Sequence, residues 1–165
     1  MGAGASMNEM EDYFKSGAVE NHAAFDAKYD IDVTDEKNKL GEGSFGVVFR
    51  CREKVGGQER AVKLMSTDGM SHFEIEELHN EVLMLKNVDH PNALKMYDYY
   101  EDGGRKSALI VTDVLEGGEL FDKILEKEVY SEKDARSVVA IVLELLVYLH
   151  DKGVAHRDLK LENLV

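Results

Sequence analysis

The stretch Leu40-Gly41-Glu42-Gly43-Ser44-Phe45-Gly46-Val47-Val48-Phe49-Arg50-Cys51 constrains the fold more than any other part of the chain. Three glycines are followed at once by Val-Val-Phe, a β-branched and aromatic run that favours a strand. A dinucleotide-binding fingerprint would need a helix directly after the third glycine, so that fold is excluded. Glycines at 41, 43 and 46 let backbone N–H groups approach phosphate oxygens with no Cβ in the way; the competing reading is a plain tight hairpin. Val55-Gly56-Gly57 carries the next turn signal, and Arg60 to Met65 reads as another strand. The region is therefore strand, turn, strand, turn, strand.

Phe73 to Val88 has a helical pattern, with Ile75, Leu78, Val82 and Leu85 forming one apolar stripe. It is expected to stop before His90-Pro91, because a residue ahead of proline avoids helical geometry. Ala93–Tyr100 and Ser107–Leu115 read as two strands around Glu101-Asp102-Gly103-Gly104. After the break Glu116-Gly117-Gly118-Glu119 come a short helix, Leu120–Lys127, and a long one from about Glu132 to His150. Ser131 is a suitable N-cap and Gly153 a natural stop. Val138, Ile141, Val142, Leu145, Leu146 and Leu149 make the long helix apolar enough for near-complete burial. A β-rich first part and a helical second part predict an α+β chain of two lobes, divided near Asp113–Glu119.

At 165 residues the chain can build one ordinary domain with a sizeable core. Its 33 acidic against 20 basic residues, a net charge of −13, exclude binding to a nucleic-acid backbone. No run of about 18 apolar residues is present to span a membrane. The lone cysteine, Cys51, reads as a small hydrophobe in a strand and fits a reducing compartment. Met1-Gly2-Ala3-Gly4-Ala5-Ser6 fits the pattern for myristate on Gly2, although no nearby cysteine or basic patch supplies a second anchor, and a flexible start reads the same way. Residues 1–29 are expected to be an acidic, flexible or loosely docked extension.

The closing stretch His156-Arg157-Asp158-Leu159-Lys160-Leu161-Glu162-Asn163 sets a carboxylate beside a cation, with an amide five residues on. That grouping suits the positioning of a hydroxyl and a metal near a phosphate. On the sheet side, Lys63 lies between apolar Ala61-Val62 and Leu64-Met65, so its stem should be buried and its charge should need a partner. Glu81, on the striped helix, answers that need, with Glu76 and Glu77 as rivals.

Taken in order, Gly41–Val48, Ala61-Val62-Lys63, Glu81 and His156-Arg157-Asp158 with Asn163 resemble the signatures of eukaryotic-type protein kinases. The resemblance covers roughly residues 29 to 165. It implies a kinase-like fold: an ATP-binding lobe over 30–115, β-rich with one helix, and the start of a helical lobe over 116–165. It implies that Leu40, Gly41, Glu42, Gly43, Ser44, Phe45 and Gly46 cover the ATP phosphates, and that Lys63 binds the α and β phosphates and pairs with Glu81. Val48 and Ala61 would sandwich the adenine with Val165 below. Asp113 to Leu115 would be the hinge reading its edge, Thr112 the gatekeeper, and Glu119 the ribose-contacting acid. Asp158 would orient the substrate hydroxyl, Lys160 would neutralise the transferring phosphoryl group, and Asn163 would hold Mg²⁺. Lys160 matches serine/threonine rather than tyrosine kinases, so the implied partner is a protein substrate, with basic residues near the target Ser or Thr as a further expectation. Gly117-Gly118-Glu119-Leu120-Phe121-Asp122 and Tyr148-Leu149-His150 look most like the calcium/calmodulin-dependent group, yet no EF-hand loop is present. No Asp-Phe-Gly follows Asn163, so poor turnover by this chain alone is expected; the alternative is a non-catalytic nucleotide-binding or regulatory module. A cytoplasmic location is expected, with membrane contact only through a myristoylated Gly2.

Overall fold

The computed structural model describes residues 21–43, 46–102, 104, 106–126 and 130–165. These fall into two compact units, 21–87 with 95–114 and 88–94 with 115–165.

In the first unit six strands form one antiparallel sheet among the described residues: β1 (Tyr29–Asp30), β2 (Lys39–Gly43), β3 (Gly46–Glu53), β4 (Glu59–Ser66), β5 (Met96–Asp102) and β6 (Ser107–Thr112). The order is β1-β3-β4-β6-β5, with β2 also paired to β3. Gly46 is required here for a structural reason. Its φ is +139°, and a Cβ would lie 2.1 Å from the Leu64 carbonyl oxygen across the β3–β4 ladder. Two of the strands differ from the sequence expectation. β5 starts at Met96 rather than Ala93, because the Ala93 N–H closes a turn on the His90 carbonyl at 3.0 Å. β6 ends at Thr112 rather than Leu115; beyond it the Asp113 N–H bonds the Lys95 carbonyl at 3.1 Å.

Side chains alternate across a sheet, so register assigns its two faces. One carries Met65, Met96, Tyr99, Ala108 and Ile110 and is covered by Leu78 and Val82 of helix α2 (His72–Lys86). Helix α2 starts with a capping box: the Ser71 hydroxyl accepts the Glu74 N–H while the Glu74 carboxylate accepts the Ser71 N–H. The other face carries Cys51, Val62, Tyr100, Leu109 and Val111, and Phe25 and Tyr29 close over it. Phe25 lies on helix α1 (His22–Lys28), capped by Asn21. The Phe25 ring stacks on Tyr29 at 5.2 Å and meets Tyr100 edge-on at 5.5 Å. The Tyr29 hydroxyl and the Lys28 ammonium both donate to the Asp98 carboxylate. Residues 21–29, read from sequence as part of a loosely docked extension, are thus built into the core of this unit.

Cys51 sits in that core, and burial pushes its thiol pKa up to about 12, which keeps it an unreactive hydrophobe.

The second unit contains α3 (Leu120–Glu126) and α4 (Glu132–Asp151). Ser131 caps α4 by accepting the Asp134 N–H. Gly153, at φ +73°, ends it, with the Gly153 N–H on the His150 carbonyl and the Val154 N–H on that of Leu149. The near-complete burial expected of α4 is met only in part: of the residues named for it, Leu149 is buried, Val138, Val142, Leu145 and Leu146 are half-buried and Ile141 is about half exposed, while Val139, Leu143 and Val147 on the same helix are more than half exposed. The other described helix of the unit has seven residues, too few to surround a helix of twenty.

Candidate active site

The glycine-rich hairpin is built by the β2–β3 ladder, which pairs Gly41 with Val48 and closes with Gly43 opposite Gly46. Ser44 and Phe45 lie outside the described residues. A Cβ on Gly41 would meet nothing within 4 Å, so its backbone has open space beside it. Leu40 is 39% exposed. Glu42 is exposed and bonded to Lys39 at 2.6 Å, and that ammonium holds its carboxyl below the usual carboxylate range.

Across the sheet, Val48 pairs with Lys63 and Lys63 with Ile110, while Ala61 pairs with Arg50 and Thr112. Directly paired residues share a face. Val48, Ala61, Lys63 and Thr112 therefore project to the same side, the side covered further along by α2. Ala61 is 5% exposed, and the other three are half-buried. Glu81, Glu76 and Glu77 are exposed on α2, and Glu76 lies 3.4 Å from His72. Leu78, Val82 and Leu83 take the buried face of the helix, which turns Glu81 outward. Asp113 follows Thr112. Its Oδ1 accepts the Tyr97 hydroxyl at 2.8 Å, and Nη1 of Arg60 stands 3.7 Å away. Arg60 and Tyr97 carry no sequence signal for this role, because nothing local marks either as a neighbour of Asp113.

In the second unit the turn after α4 brings together Asp158, Lys160 and Asn163. The Asn163 amide Nδ2 donates to the Asp158 carbonyl at 2.8 Å and to its carboxylate Oδ2 at 2.9 Å. Lys160 Nζ lies 3.1 Å from the same Oδ2. A short 3₁₀ turn, Leu161–Asn163, returns the amide to the loop, with the Asn163 N–H on the Lys160 carbonyl at 3.1 Å. Arg157 adopts φ +61°, rare for a residue with a Cβ, and the Asp158 N–H donates to the His156 carbonyl at 2.8 Å. His156 is half-buried, and its ring Nδ1 also lies 3.4 Å from the Asp158 N–H, within the same turn. The Lys160 ammonium, and then the Asn163 amide, hold the Asp158 carboxyl below its ordinary range, so it is anionic at neutral pH. Leu115 and Glu119 are exposed; the Glu119 carbonyl accepts the Lys123 N–H at the start of α3, and the Leu120 N–H donates to the Leu164 carbonyl at 2.7 Å. Val165 is 58% exposed, and a Cβ on Gly117 would lie 3.9 Å from its carbonyl carbon.

The Asp158 carboxylate and the Asn163 Oδ1 are hard oxygen donors of the kind Mg²⁺ accepts. No group of three or more His, Cys, Asp or Glu able to hold a metal occurs among the described residues. The donor set thus fits a magnesium ion only as a partial shell, one that phosphate oxygens and water would complete. No helix among the described residues is long and apolar enough to cross a membrane.

Comparison with known proteins agrees with this layout. The protein kinase domain family matches residues 34–165. The chain is 39% identical over 137 residues to calcium-dependent protein kinase 5 of Plasmodium falciparum, covering 83% of this chain and 23% of that protein. It is 39% identical over 131 residues to calcium/calmodulin-dependent protein kinase type II of Caenorhabditis briggsae, covering 79% and 24%. A probable myosin light chain kinase of Dictyostelium discoideum is 39% identical over 127 residues, covering 77% and 39%. The chain spans between about a quarter and two fifths of the length of these curated relatives. With the glycine hairpin, the strand lysine and the Asp158 loop each in place, a match over four fifths of its length settles the family: the chain belongs to the protein kinase domain family.

Proposed function

We propose that the protein transfers the γ-phosphoryl group of ATP to Ser or Thr residues of a protein substrate. The observation that carries the reading is the Asp158–Lys160–Asn163 cluster, in which an anionic carboxylate is held by an amide and flanked by an ammonium. Phosphoryl transfer depends mainly on positioning and charge neutralisation, and these groups supply both. Asp158 accepts a hydrogen bond from the substrate hydroxyl and orients it. Lys160 offsets negative charge on the group in transit. Lys63, the glycine hairpin, Val48, Ala61 and Asp113 to Leu115 bind the nucleotide, with Thr112 at the back of its site and Glu119 at the ribose. Glu81 is the α2 carboxylate that pairs with Lys63 in this reading. Asn163, together with phosphate oxygens, would hold a magnesium ion, which would supply Lewis-acid charge neutralisation.

The acidic composition favours substrates with basic residues near the target, and Gly2, outside the described residues, is the proposed point of any lipid contact in an otherwise cytoplasmic protein. The test is transfer of labelled γ-phosphate from ATP to a basic Ser/Thr peptide, wild type against Asp158→Asn. Loss of transfer in the variant, by about 100-fold or more, is expected for the group that orients the nucleophile. Equal rates remove Asp158 from this role. Because turnover by this chain alone is expected to be poor, transfer is followed over long incubation; nucleotide binding with no transfer at all replaces the reading with that of a non-catalytic nucleotide-binding module.

A further inference from the structure

Asp113 is the first residue past the β6 ladder, and its N–H, carbonyl and carboxylate are all engaged. The N–H donates to the Lys95 carbonyl at 3.1 Å, and the carbonyl accepts the Thr112 hydroxyl at 3.1 Å. The carboxylate Oδ1 accepts the Tyr97 hydroxyl at 2.8 Å and faces Arg60 at 3.7 Å. Arg60 is itself locked. Its side chain is 13% exposed, its Nε donates to Glu53 Oε1 at 3.2 Å, and its guanidinium carbon lies 3.8 Å from the Tyr97 ring centroid. A guanidinium so far removed from water needs these partners, because an uncompensated charge there would be costly. Tyr97 is the extra residue at the β5 register shift between Met96 and Asp98. A bulge re-aims a side chain out of the alternating pattern, and here it swings the phenol toward Asp113.

The faces give the cluster its meaning. Arg60 pairs with Cys51, so it projects to the side of the sheet opposite Ala61, Lys63 and Thr112. A ligand held by Ala61, Lys63 and Thr112 would not touch Arg60. We propose that Arg60 and Tyr97 are positioning residues for adenine recognition: they brace Asp113 from the far face of the sheet and so fix the course of the main chain from Asp113 to Leu115, the segment that reads the base. This rests on the nucleotide-binding reading above. Phosphate binding falls to other residues, so the brace sets base selectivity more than overall nucleotide affinity.

The test uses the 165-residue chain and a fluorescent ADP carrying an N-methylanthraniloyl group on the ribose, read by fluorescence titration, with unlabelled ADP and GDP as competitors. Tyr97→Phe removes only a hydroxyl, Arg60→Met keeps length without charge, and Arg60→Lys restores charge without the fork. Each of the first two is expected to weaken ADP binding about fivefold, the net effect of one ordinary intramolecular hydrogen bond, with GDP binding little changed. Arg60→Lys should recover part of the loss. A purely structural role would lower ADP and GDP together, and that outcome overturns the brace, as does unchanged ADP affinity in Tyr97→Phe with an unchanged melting temperature. Wild type that binds neither nucleotide overturns the underlying nucleotide reading itself. If Arg60→Met fails to fold, Tyr97→Phe alone decides between these outcomes.

Discussion

Replacing Phe25 by alanine should destabilise the sheet unit as a core mutation does, although the residue lies in a segment whose composition reads as a solvated tail. Phe25 is 3% exposed, stacks on Tyr29 at 5.2 Å and meets Tyr100 at 5.5 Å, with the planes at 24° and 80°. Buried Phe→Ala substitutions cost about 3–5 kcal/mol from lost transfer energy and the cavity left behind. Phe25 lies on a seven-residue helix that can settle inward, so the lower end, about 3 kcal/mol, is expected. For a chain of this length that converts to a fall in Tm of about 6–12 °C. With no tryptophan and seven tyrosines, unfolding is followed by far-UV circular dichroism and by tyrosine emission, to which the buried Tyr29 and Tyr100 contribute. The control is Val33→Ala: Val33 is 48% exposed, and its loss should move Tm by less than about 2 °C. A Phe25→Ala shift as small as that of the control would show that α1 is not part of the cooperative core, and the two-faced description of the sheet would fail.

Gly46→Ala should disrupt the β3–β4 ladder and fold poorly, since a Cβ at 2.1 Å from the Leu64 carbonyl and a φ of +139° cannot both be relieved by side-chain movement; a wild-type melting curve would contradict this. Cys51 should react with a thiol reagent only after unfolding: burial raises its pKa to about 12, so the stability this brings is complete below the ordinary thiol pKa and is lost as pH rises toward 12. Rapid labelling of native protein at neutral pH would refute that placement. Glu101 is held below its ordinary range mainly by its hydrogen bond to His79 at 2.6 Å, with a further bond from the Tyr99 hydroxyl. A depressed folded pKa gives stability that is present above about pH 4.3 and lost as pH falls through the lower folded value. Glu101→Gln should therefore show a smaller drop in urea midpoint than wild type between pH 6 and acid conditions, and equal drops would discount the His79–Glu101 contact.

What could be seen in advance, and what could not, divides by the range of the interactions involved. The glycine hairpin, the β4 lysine and the Ser131 cap are local patterns: β-branched residues after glycine, an apolar flank around a cation, a hydroxyl three residues before an acid. Such patterns survive whatever the rest of the chain does. The docking of α1 was hidden because nine acids between Glu9 and Glu36 dominate the composition, while the decisive pair, Phe25 and Tyr29, lies one helical turn apart and finds its partner Tyr100 far along the chain. Apolarity misled in the opposite sense at α4: the residues of that helix can be buried, but apolar character records a capacity for burial and not the presence of a covering element. The Arg60–Tyr97–Asp113 brace was least legible of all. It requires a register shift that puts one extra residue into β5, and no periodicity announces a bulge, because a bulge is the point where the period fails. The same reasoning explains why Asp158, Lys160 and Asn163 were found and Arg60 was not. The former close a loop of six residues through two amide hydrogen bonds, so spacing alone implies their meeting. The latter meets Asp113 only because three strands lie in one particular order, and that order is a property of the folded sheet.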